Sequence, residues 1–385
     1  MLLFIPTALA QSGPSFIPLW SFNGGGQSTD SRFTLVGTAG QFNAASATDG
    51  RFTVAGGVWS TPLTGTTGPN GFAIHLPLVA RAEPPPPSAV WRRVGQSHLN
   101  AAVLALGGNQ LFVGERKDSG YPGGLYHQSL ATCVSVPSLI RIPGIESSVF
   151  GLDFNGVQGV AAAYDLGMFY TNDGLNWTLS PSSVLRPRSV VISSGAVYAG
   201  TQDQGLYLSE NSGATWKQRN GEPIAINVMK IQVSTLWIGT DASGVWKLIA
   251  AGSTPVQQMG GLNNDASKKV WDFAFASDKT IYLATADGVY LGNGNTNSAW
   301  QPFDLQLKGL RTLEIVGNQL YAGVVNDATE GGHGGVWQHS LTGGAWQPVT
   351  SAGWNNGYTV RDLLYDASNC HGLLAATDDG VWLYR

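Results

Sequence analysis

Apolar and polar residues alternate along most of the chain in short runs, and these runs recur in a fixed order. In each repeat an apolar run ends in small residues, a turn follows, and a glycine with two apolar or aromatic residues opens the next run. The copies are residues 111–114 with 124–126, 160–163 with 167–169, 197–200 with 205–207, 236–239 with 244–246, 281–284 with 288–290, 320–323 with 335–337, and 373–376 with 380–382. Alternation at period two predicts half-buried strands, and a spacing of about 40 residues is the length of a unit of four strands.

The two ends of the repeated region complement each other. The seventh repeat stops at Arg385, directly after its third strand, whereas residues 90–94 have the pattern of a spare fourth strand. Pairing the two would close a ring and leave no open sheet edge. We therefore predict an all-β fold, a seven-bladed β-propeller over residues 90–385 that is closed by an N-terminal outer strand.

The chain before the propeller divides at four consecutive prolines, residues 84–87, which favour an extended spacer. The predicted organisation is an export-signal remnant at residues 1–10, a small β-rich segment at 11–82, a proline linker at 83–89 and the propeller at 90–385. The first ten residues are apolar and end in the small-x-small pattern that precedes signal cleavage. Residues 30–37 and 49–56 are two copies of one alternating run.

Composition and charge exclude some classes of function. Charged residues make up 12% of the chain, and the net charge is −4, so no basic stripe suited to nucleic acid is expected. No apolar run approaches the roughly 20 residues that span a bilayer. The chain has two cysteines, Cys133 and Cys370, which the predicted ring places in neighbouring blades. Two buried thiols or a disulfide across the ring closure both fit the sequence.

Two turns carry a recognisable motif. Residues 209–216 read Ser-Glu-Asn-Ser-Gly-Ala-Thr-Trp, and residues 171–177 are a version one residue shorter. They resemble the Asp-box of the sialidase-like (BNR) propeller repeats, a family that includes sialidases, xyloglucan-cleaving glycosidases, sortilin-type receptors and the photosystem II assembly-factor propeller. The resemblance implies a hairpin device rather than a catalytic motif. Its structural residues here are Asp173, Trp177, Asn211, Gly213 and Trp216.

Candidate binding residues come from the inner strands. Counting nine residues back from the small-residue strands, with a longer turn allowed in blade seven, gives Ala102, Gly151, Arg188, Asn227, Asp272, Arg311 and Arg361. These positions should ring one mouth of the central channel. Arg188, Arg311 and Arg361 could hold a carboxylate or phosphate together with Asn227. The alternative is that the arginines pair with nearby acids or face water.

Two turns between the second and third strands are longer than the others, and long loops on a rigid scaffold often bind ligands. One contains Arg116 and Tyr121, and the other contains His333. No histidine has a partner at zinc-ligand spacing, and no phosphate loop or dinucleotide fingerprint occurs, so we expect no metal and no cofactor. The aspartates in these turns should bond their own backbone, with calcium as the alternative.

Two functions follow from these features. The first is a non-catalytic, extracytoplasmic β-propeller that binds a protein or glycan partner, or serves as a scaffold, through the loops on one face. The alternative is a glycoside hydrolase or lyase of the Asp-box type with acids at the channel mouth, for which Glu314 and Asp272 are the candidate catalytic residues.

Overall fold

The computed structural model describes residues 89–385 except 96–97, 131–137, 182–183, 194, 220–222, 250–252, 294–298 and 369, and before residue 89 it describes the backbone of six strands. The chain forms two compact units, Met1–Pro85 and Pro86–Arg385. Most of the predicted linker, residues 83–88, lies outside the described residues.

The first unit contains two antiparallel sheets. Strands β1 (Ile5–Ser12) and β2 (Ser15–Ser21) pair with each other. The second sheet has the order β3 (Gly26–Thr29), β4 (Thr34–Gly37), β5 (Ala45–Asp49) and β6 (Phe52–Gly56). Strands β4 and β6 lie within the two copies of the duplicated run.

The second unit consists of seven four-stranded antiparallel sheets, which confirms the seven-bladed β-propeller. The inner strands A are β8 (Ala101–Gly107), β12 (Val149–Asn155), β16 (Pro187–Ser193), β20 (Ile226–Gln232), β24 (Val270–Phe275), β28 (Leu310–Val316) and β32 (Val360–Asp366). Strands B are β9 (Gln110–Glu115), β13 (Gln158–Ala163), β17 (Ala196–Thr201), β21 (Thr235–Thr240), β25 (Ile281–Thr285), β29 (Gln319–Val324) and β33 (Gly372–Thr377). Strands C are β10 (Gly124–Ser129), β14 (Gly167–Thr171), β18 (Leu206–Ser209), β22 (Val245–Leu248), β26 (Gly288–Gly292), β30 (Val336–Ser340) and β34 (Gly380–Tyr384).

The outer strands D are short, and one of them comes from the other end of the unit. They are β7 (Trp91–Val94), β11 (Ile140–Ile142), β15 (Trp177–Leu179), β19 (Lys217–Gln218), β23 (Val256–Gln258), β27 (Gln301–Asp304) and β31 (Gln347–Pro348). A single-turn helix, α1 (Asp265–Lys268), precedes β24. No helix in the described part of the chain is long and apolar enough to cross a membrane.

The ring closes as predicted, because β7 pairs antiparallel with β34 and completes blade seven. Trp91 anchors this closing strand and is only 3% exposed. Its ring stacks on Trp354 with centroids 4.2 Å apart, and its Nε1 donates to the Val349 carbonyl at 3.0 Å. The inner strand β32 packs against β8, so blade seven contacts blade one along the channel as well.

The small residues that mark each repeat are explained by blade-to-blade packing. A Cβ atom on Gly200 would lie 2.4 Å from Ile226 Cγ2, and one on Gly323 would lie 2.7 Å from Val360 Cγ1. Ile226 and Val360 each begin the inner strand of the following blade. The second strand of a blade therefore needs glycine or alanine where the next blade approaches it.

The two Asp-box-like hairpins share one set of hydrogen bonds. Asp173 Oδ1 accepts from the backbone N–H groups of Leu175 and Asn176, which holds the pKa of this carboxyl well below its usual range. Trp177 Nε1 donates to the Gly174 carbonyl at 3.1 Å.

In the second hairpin Asn211 Oδ1 accepts from the Thr215 N–H at 2.8 Å, and Trp216 Nε1 donates to the Gly213 carbonyl at 2.9 Å. Gly213 has a φ of 91°, a conformation that favours glycine. In both hairpins the acceptor side chain fixes the turn and the glycine carbonyl fixes the tryptophan.

The sequence left the state of the two cysteines open. Cys370 is disulfide-bonded, and Cys133, the only other cysteine of the chain, lies outside the described residues.

Candidate functional site

The inner strands of all seven blades surround a central cavity of about 1100 Å³. Each inner strand contains one irregularity where it pairs with its strand B, so that one residue per blade is skipped in the register. The skipped residues are Ala102, Phe150, Arg188, Asn227, Trp271, Arg311 and Arg361. All seven line the cavity. A bulge redirects the side chain it carries, so the fold itself places these residues at one end of the channel, which we call the mouth.

The sequence-based register of the mouth was wrong by one residue in two blades. Phe150 occupies the position expected for Gly151, because Gly159 and not Val160 corresponds to Val197 of the next blade. Trp271 occupies the position expected for Asp272, because the turn between β24 and β25 is one residue longer than in blade three. The mouth therefore gains two aromatic residues.

Two of the mouth arginines donate to neutral groups and form no ion pair with a described residue. Arg188 donates to Asn227 Oδ1 at 2.9 Å, and Arg361 donates to the Ala101 carbonyl at 3.2 Å. Burial, together with the positive charges of Arg116 and Arg311, lowers the pKa of Arg361 to about 10, although the carboxylates of Asp378 and Asp118 raise it in part. The guanidinium groups of blades one, six and seven are thus close enough to repel one another.

Arg311 is the mouth arginine with a carboxylate in contact. Its Nη2 lies 2.6 Å from Glu330 Oε2, and its guanidinium lies 4.0 Å from the centroid of Trp271. Lys269 also approaches the Trp271 ring, at 4.9 Å. The acids near the mouth in sequence, Asp272 and Asp362, form no ion pair with a mouth arginine among the described residues.

The long loops contribute unequally. Arg116 of the first loop is exposed and lines the cavity. Asn326 and Asp327 of the second loop line the cavity as well. Tyr121 forms a backbone bridge with Asp118, and His333 is exposed; neither of these two side chains lines the cavity. Of the candidate binding residues, the structure brings together Arg116, Arg188, Asn227, Arg311 and Arg361.

Deeper in the channel lies a set of charged residues that sequence reasoning did not assemble. Lys230 Nζ is 2.7 Å from Asp272 Oδ1 and also donates to the Phe273 carbonyl at 2.8 Å. The Lys230 side chain remains 35% exposed, toward the channel, whereas that of Asp272 is only 5% exposed. Asp153, Glu314 and Asp362 line the same cavity. We call these five residues the inner charged level.

Three acids of this level and two hydroxyl groups, those of Ser189 and Thr312, also join neighbouring blades, whose inner strands belong to separate sheets and leave backbone N–H groups in need of acceptors. The bonds run from Ile192 N to Asp153, from Met229 N to Ser189, from Leu313 N to Asp272, from Leu363 N to Thr312 and from Leu104 N to Asp362. Because Asp272 Oδ2 also accepts from the Thr312 hydroxyl, both of its oxygens are occupied. Asp272 therefore has little capacity left to act as a nucleophile or base.

Two carboxyls of the inner charged level have strongly raised pKa values. Burial and the negative charge of Asp272 raise the pKa of Glu314 to about 7, although Lys230 lowers it in part. Burial, with the charges of Asp272 and Glu314, raises the pKa of Asp362 to about 7. Burial also raises the pKa of Asp153. One lysine does not neutralise four carboxyls, so part of the group stays protonated near neutral pH.

These pKa values predict how stability depends on pH. A carboxyl whose pKa is higher in the folded than in the unfolded protein stabilises the fold at low pH, and this contribution is lost as the pH rises through the folded pKa. We expect the free energy of unfolding to fall by at least about 2 kcal/mol between roughly pH 5 and pH 8, since each pKa unit is worth about 1.4 kcal/mol before screening by channel water. Urea unfolding across this range measures it.

Glu314→Gln should flatten this pH dependence. Glu146→Gln is the matched control, because the Glu146 side chain is 73% exposed. Equal slopes for the two variants would contradict the assignment of the pH dependence to the channel.

The part of the chain that the structure describes contains no group of three or more histidine, cysteine or acidic side chains arranged to hold a metal ion. The turn aspartates instead bond nearby groups, as Asp327 does with the Thr329 N–H at 2.8 Å.

No family model matches the sequence, and no curated protein does. Solved structures do match it. YCF48 bound to D1 peptide aligns with a TM-score of 0.57 and 13% identity over 77% of this chain and 96% of that chain. YCF48 from Cyanidioschyzon merolae aligns with a TM-score of 0.55 and 14% identity over 77% and 98%. The extracellular domain of the putative one component system BT4673 from B. thetaiotaomicron aligns with a TM-score of 0.55 and 14% identity over 76% of this chain. The alignment covers only 39% of that chain. At these identities the likeness shows the fold.

Proposed function

We propose that the protein is a non-catalytic binding module whose channel mouth recognises an anionic group of a protein partner. The observation that carries this proposal is that four arginines, Arg116, Arg188, Arg311 and Arg361, line the mouth, where Arg188 and Arg361 donate to neutral groups. An anion between these side chains would relieve their repulsion and accept charge-assisted hydrogen bonds from more than one of them.

The environment of Trp271 favours a protein over a neutral glycan. Sugars stack on open aromatic faces, but both Arg311 and Lys269 lie over the Trp271 ring. An acidic peptide group needs the guanidinium groups and not the ring. One structure with the same fold, YCF48, is described as bound to a peptide, which supports the same class of partner. A sialylated or otherwise acidic glycan is the remaining alternative.

The glycosidase alternative depends on Glu314 and Asp272. Glu314 has the raised pKa of a general acid. Its prospective partner, Asp272, is held by Lys230, Thr312 and backbone N–H groups. We therefore favour binding, and a screen of polysaccharides for hydrolysis by the full chain, with Glu314→Gln as control, tests the alternative.

We also propose an extracytoplasmic location and membership of the Asp-box repeat family. A disulfide at Cys370 suits an oxidising compartment. The hydrogen bonds of Asp173 and Asn211 are those a turn-fixing Asp-box residue would make. Alkylation of the freshly isolated protein, with and without reductant, checks the first point: a cysteine that is alkylated without reductant would argue against this location.

The mouth is tested with Arg361→Gln and Arg311→Gln in the full chain. The probes are an array of acidic and neutral peptides and an array of acidic and neutral glycans. We expect the wild type to retain acidic peptides, and each variant to lose at least about tenfold in affinity, since a charge-assisted hydrogen bond is worth about 1.5–3 kcal/mol.

The matched control is Arg186→Gln. Arg186 pairs with Asp203 at 3.1 Å and is not among the residues that line the cavity. Unchanged binding in the Arg361 variant, or an equal loss in the Arg186 control, would contradict the proposal. Retention of acidic glycans alone would replace the protein partner by a glycan.

A further inference from the structure

The sign of the charge reverses along the central channel. The mouth carries the four arginines Arg116, Arg188, Arg311 and Arg361 together with Asp327, and the inner charged level carries four carboxyls with one lysine. At the far end the cavity is lined by Leu106, Ile192, Ile231, Phe275 and Ile315. A ligand that enters through the mouth therefore meets a basic level, then an acidic level, then an apolar end.

Two carboxyls of the inner charged level have no cation in contact. Lys230 is paired with Asp272. Asp362 accepts from the backbone N–H groups of Leu104 and Leu363, and neither Asp362 nor Glu314 forms an ion pair with any described residue. The wall thus presents two carboxyls at its inner level that share the charge of Lys230 with Asp272, which Lys230 contacts.

We propose that this inner level takes a basic side chain, an ammonium or guanidinium group, from the same protein segment whose acidic group the mouth arginines bind. The inference rests on the proposed function and deepens it, because it makes the preferred partner a segment with both an acidic and a basic residue. The cation would lie against Glu314 and Asp362.

The dimensions of the channel suit such a side chain. Asp153, Lys230 and Glu314 lie three residues along their strands from the mouth, or up to about 10 Å at roughly 3.3 Å per residue. Asp272 and Asp362 lie one residue from it. Ala105 and Ala274 line this part of the cavity and leave room on two sides, and Val191 and Leu364 offer apolar contact. A long basic side chain could lay its methylene groups along this wall and place its charge between the carboxyls.

A bound cation also changes the protonation of the level. The charged groups that face it are Asp153, Lys230, Asp272, Glu314 and Asp362, contributed by five different blades. A cation favours the ionised carboxyls, so binding should release protons when the pH is near or below the raised pKa values of Glu314 and Asp362. Affinity should therefore rise as the pH is raised from about 6 to about 8, whereas binding that involves the arginines alone should not change over this range.

The test is titration calorimetry on the full chain with synthetic peptides, acetylated at the N-terminus and amidated at the C-terminus, that carry one glutamate and one lysine at varied separation in a neutral sequence. A second set has norleucine in place of lysine, and a third has glutamine in place of glutamate. We expect the best lysine peptide to bind at least about tenfold more tightly than its norleucine counterpart at about pH 8. The advantage should disappear in the variant Glu314→Gln with Asp362→Asn, while Glu146→Gln retains it.

The two proposals fail in different ways. Equal affinity for lysine and norleucine peptides overturns the cation site and leaves the anion site standing. Equal affinity for glutamate and glutamine peptides overturns the anion site. If the double variant unfolds, proton uptake or release by the wild type, measured in two buffers of different ionisation enthalpy, decides the question: no proton release with the lysine peptide near pH 6.5 overturns the cation site.

Discussion

Replacing Trp91 by alanine should destabilise the propeller by about 3–5 kcal/mol, the usual cost of truncating a large buried aromatic side chain. Trp91 is almost fully buried, stacks on Trp354 and donates a hydrogen bond to the Val349 carbonyl. It also pairs with Tyr384, the last residue of β34. Urea unfolding of the full chain, followed by tryptophan fluorescence, measures the loss.

Arg92→Ala is the control for the same strand. Arg92 is exposed and pairs with Leu383 in the same ladder, so its removal should change the free energy of unfolding by no more than about 0.5 kcal/mol. A Trp91 variant as stable as the Arg92 variant would mean that the closing strand contributes little to the ring. Because an unpaired β34 would be an open sheet edge, we also expect the Trp91 variant to begin to aggregate at a lower urea concentration than the wild type.

Lys230→Met should lower the free energy of unfolding by about 2–4 kcal/mol at pH 8, although methionine is apolar and has a similar length. The change leaves Asp272 without its cation and removes the one positive charge of the inner charged level. Breaking a buried ion pair costs more than its net contribution, because the remaining charge stays buried. The expected loss of stability is smaller than for a fully buried pair, because the Lys230 side chain faces the channel.

The loss should shrink as the pH falls toward 5, since protonation of Glu314 and Asp362 removes part of the uncompensated negative charge. Lys217→Met on the exposed strand β19 provides the matched control and should change stability little at either pH. A pH-independent loss in the Lys230 variant would show that packing rather than charge is responsible.

The fold was predictable because the repeated residues have a steric cause. Gly200, Gly239 and Gly323 recur at the same place, each facing the first residue of the next inner strand. The run at residues 90–94 was equally informative, because it supplies the outer strand that blade seven lacks and pairs with β34. Both signals arise from the backbone arrangement that every blade shares.

The candidate site was less predictable, because it depends on register and on contacts between distant residues. A turn one residue longer in blade five moved Asp272 from the mouth to the inner level and put Trp271 in its place. The contact of Arg311 with Glu330 joins an inner strand to a loop, and that of Lys230 with Asp272 joins two blades. No local pattern specifies such pairs.

The order in which the chain is made gives the closing strand a particular history. Strand β7 emerges at the start of the propeller, but its partner β34 is the last strand of the unit, with Val90 N finally bonded to the Arg385 carbonyl at 3.0 Å. At about 5–20 residues per second, synthesis of the intervening chain takes roughly 15–60 s. During that interval β7 has neither β34 nor the Trp354 ring to pack against. The closing strand is therefore an unpaired strand for most of the time that the propeller is being made, and closure is the last pairing that the order of synthesis allows.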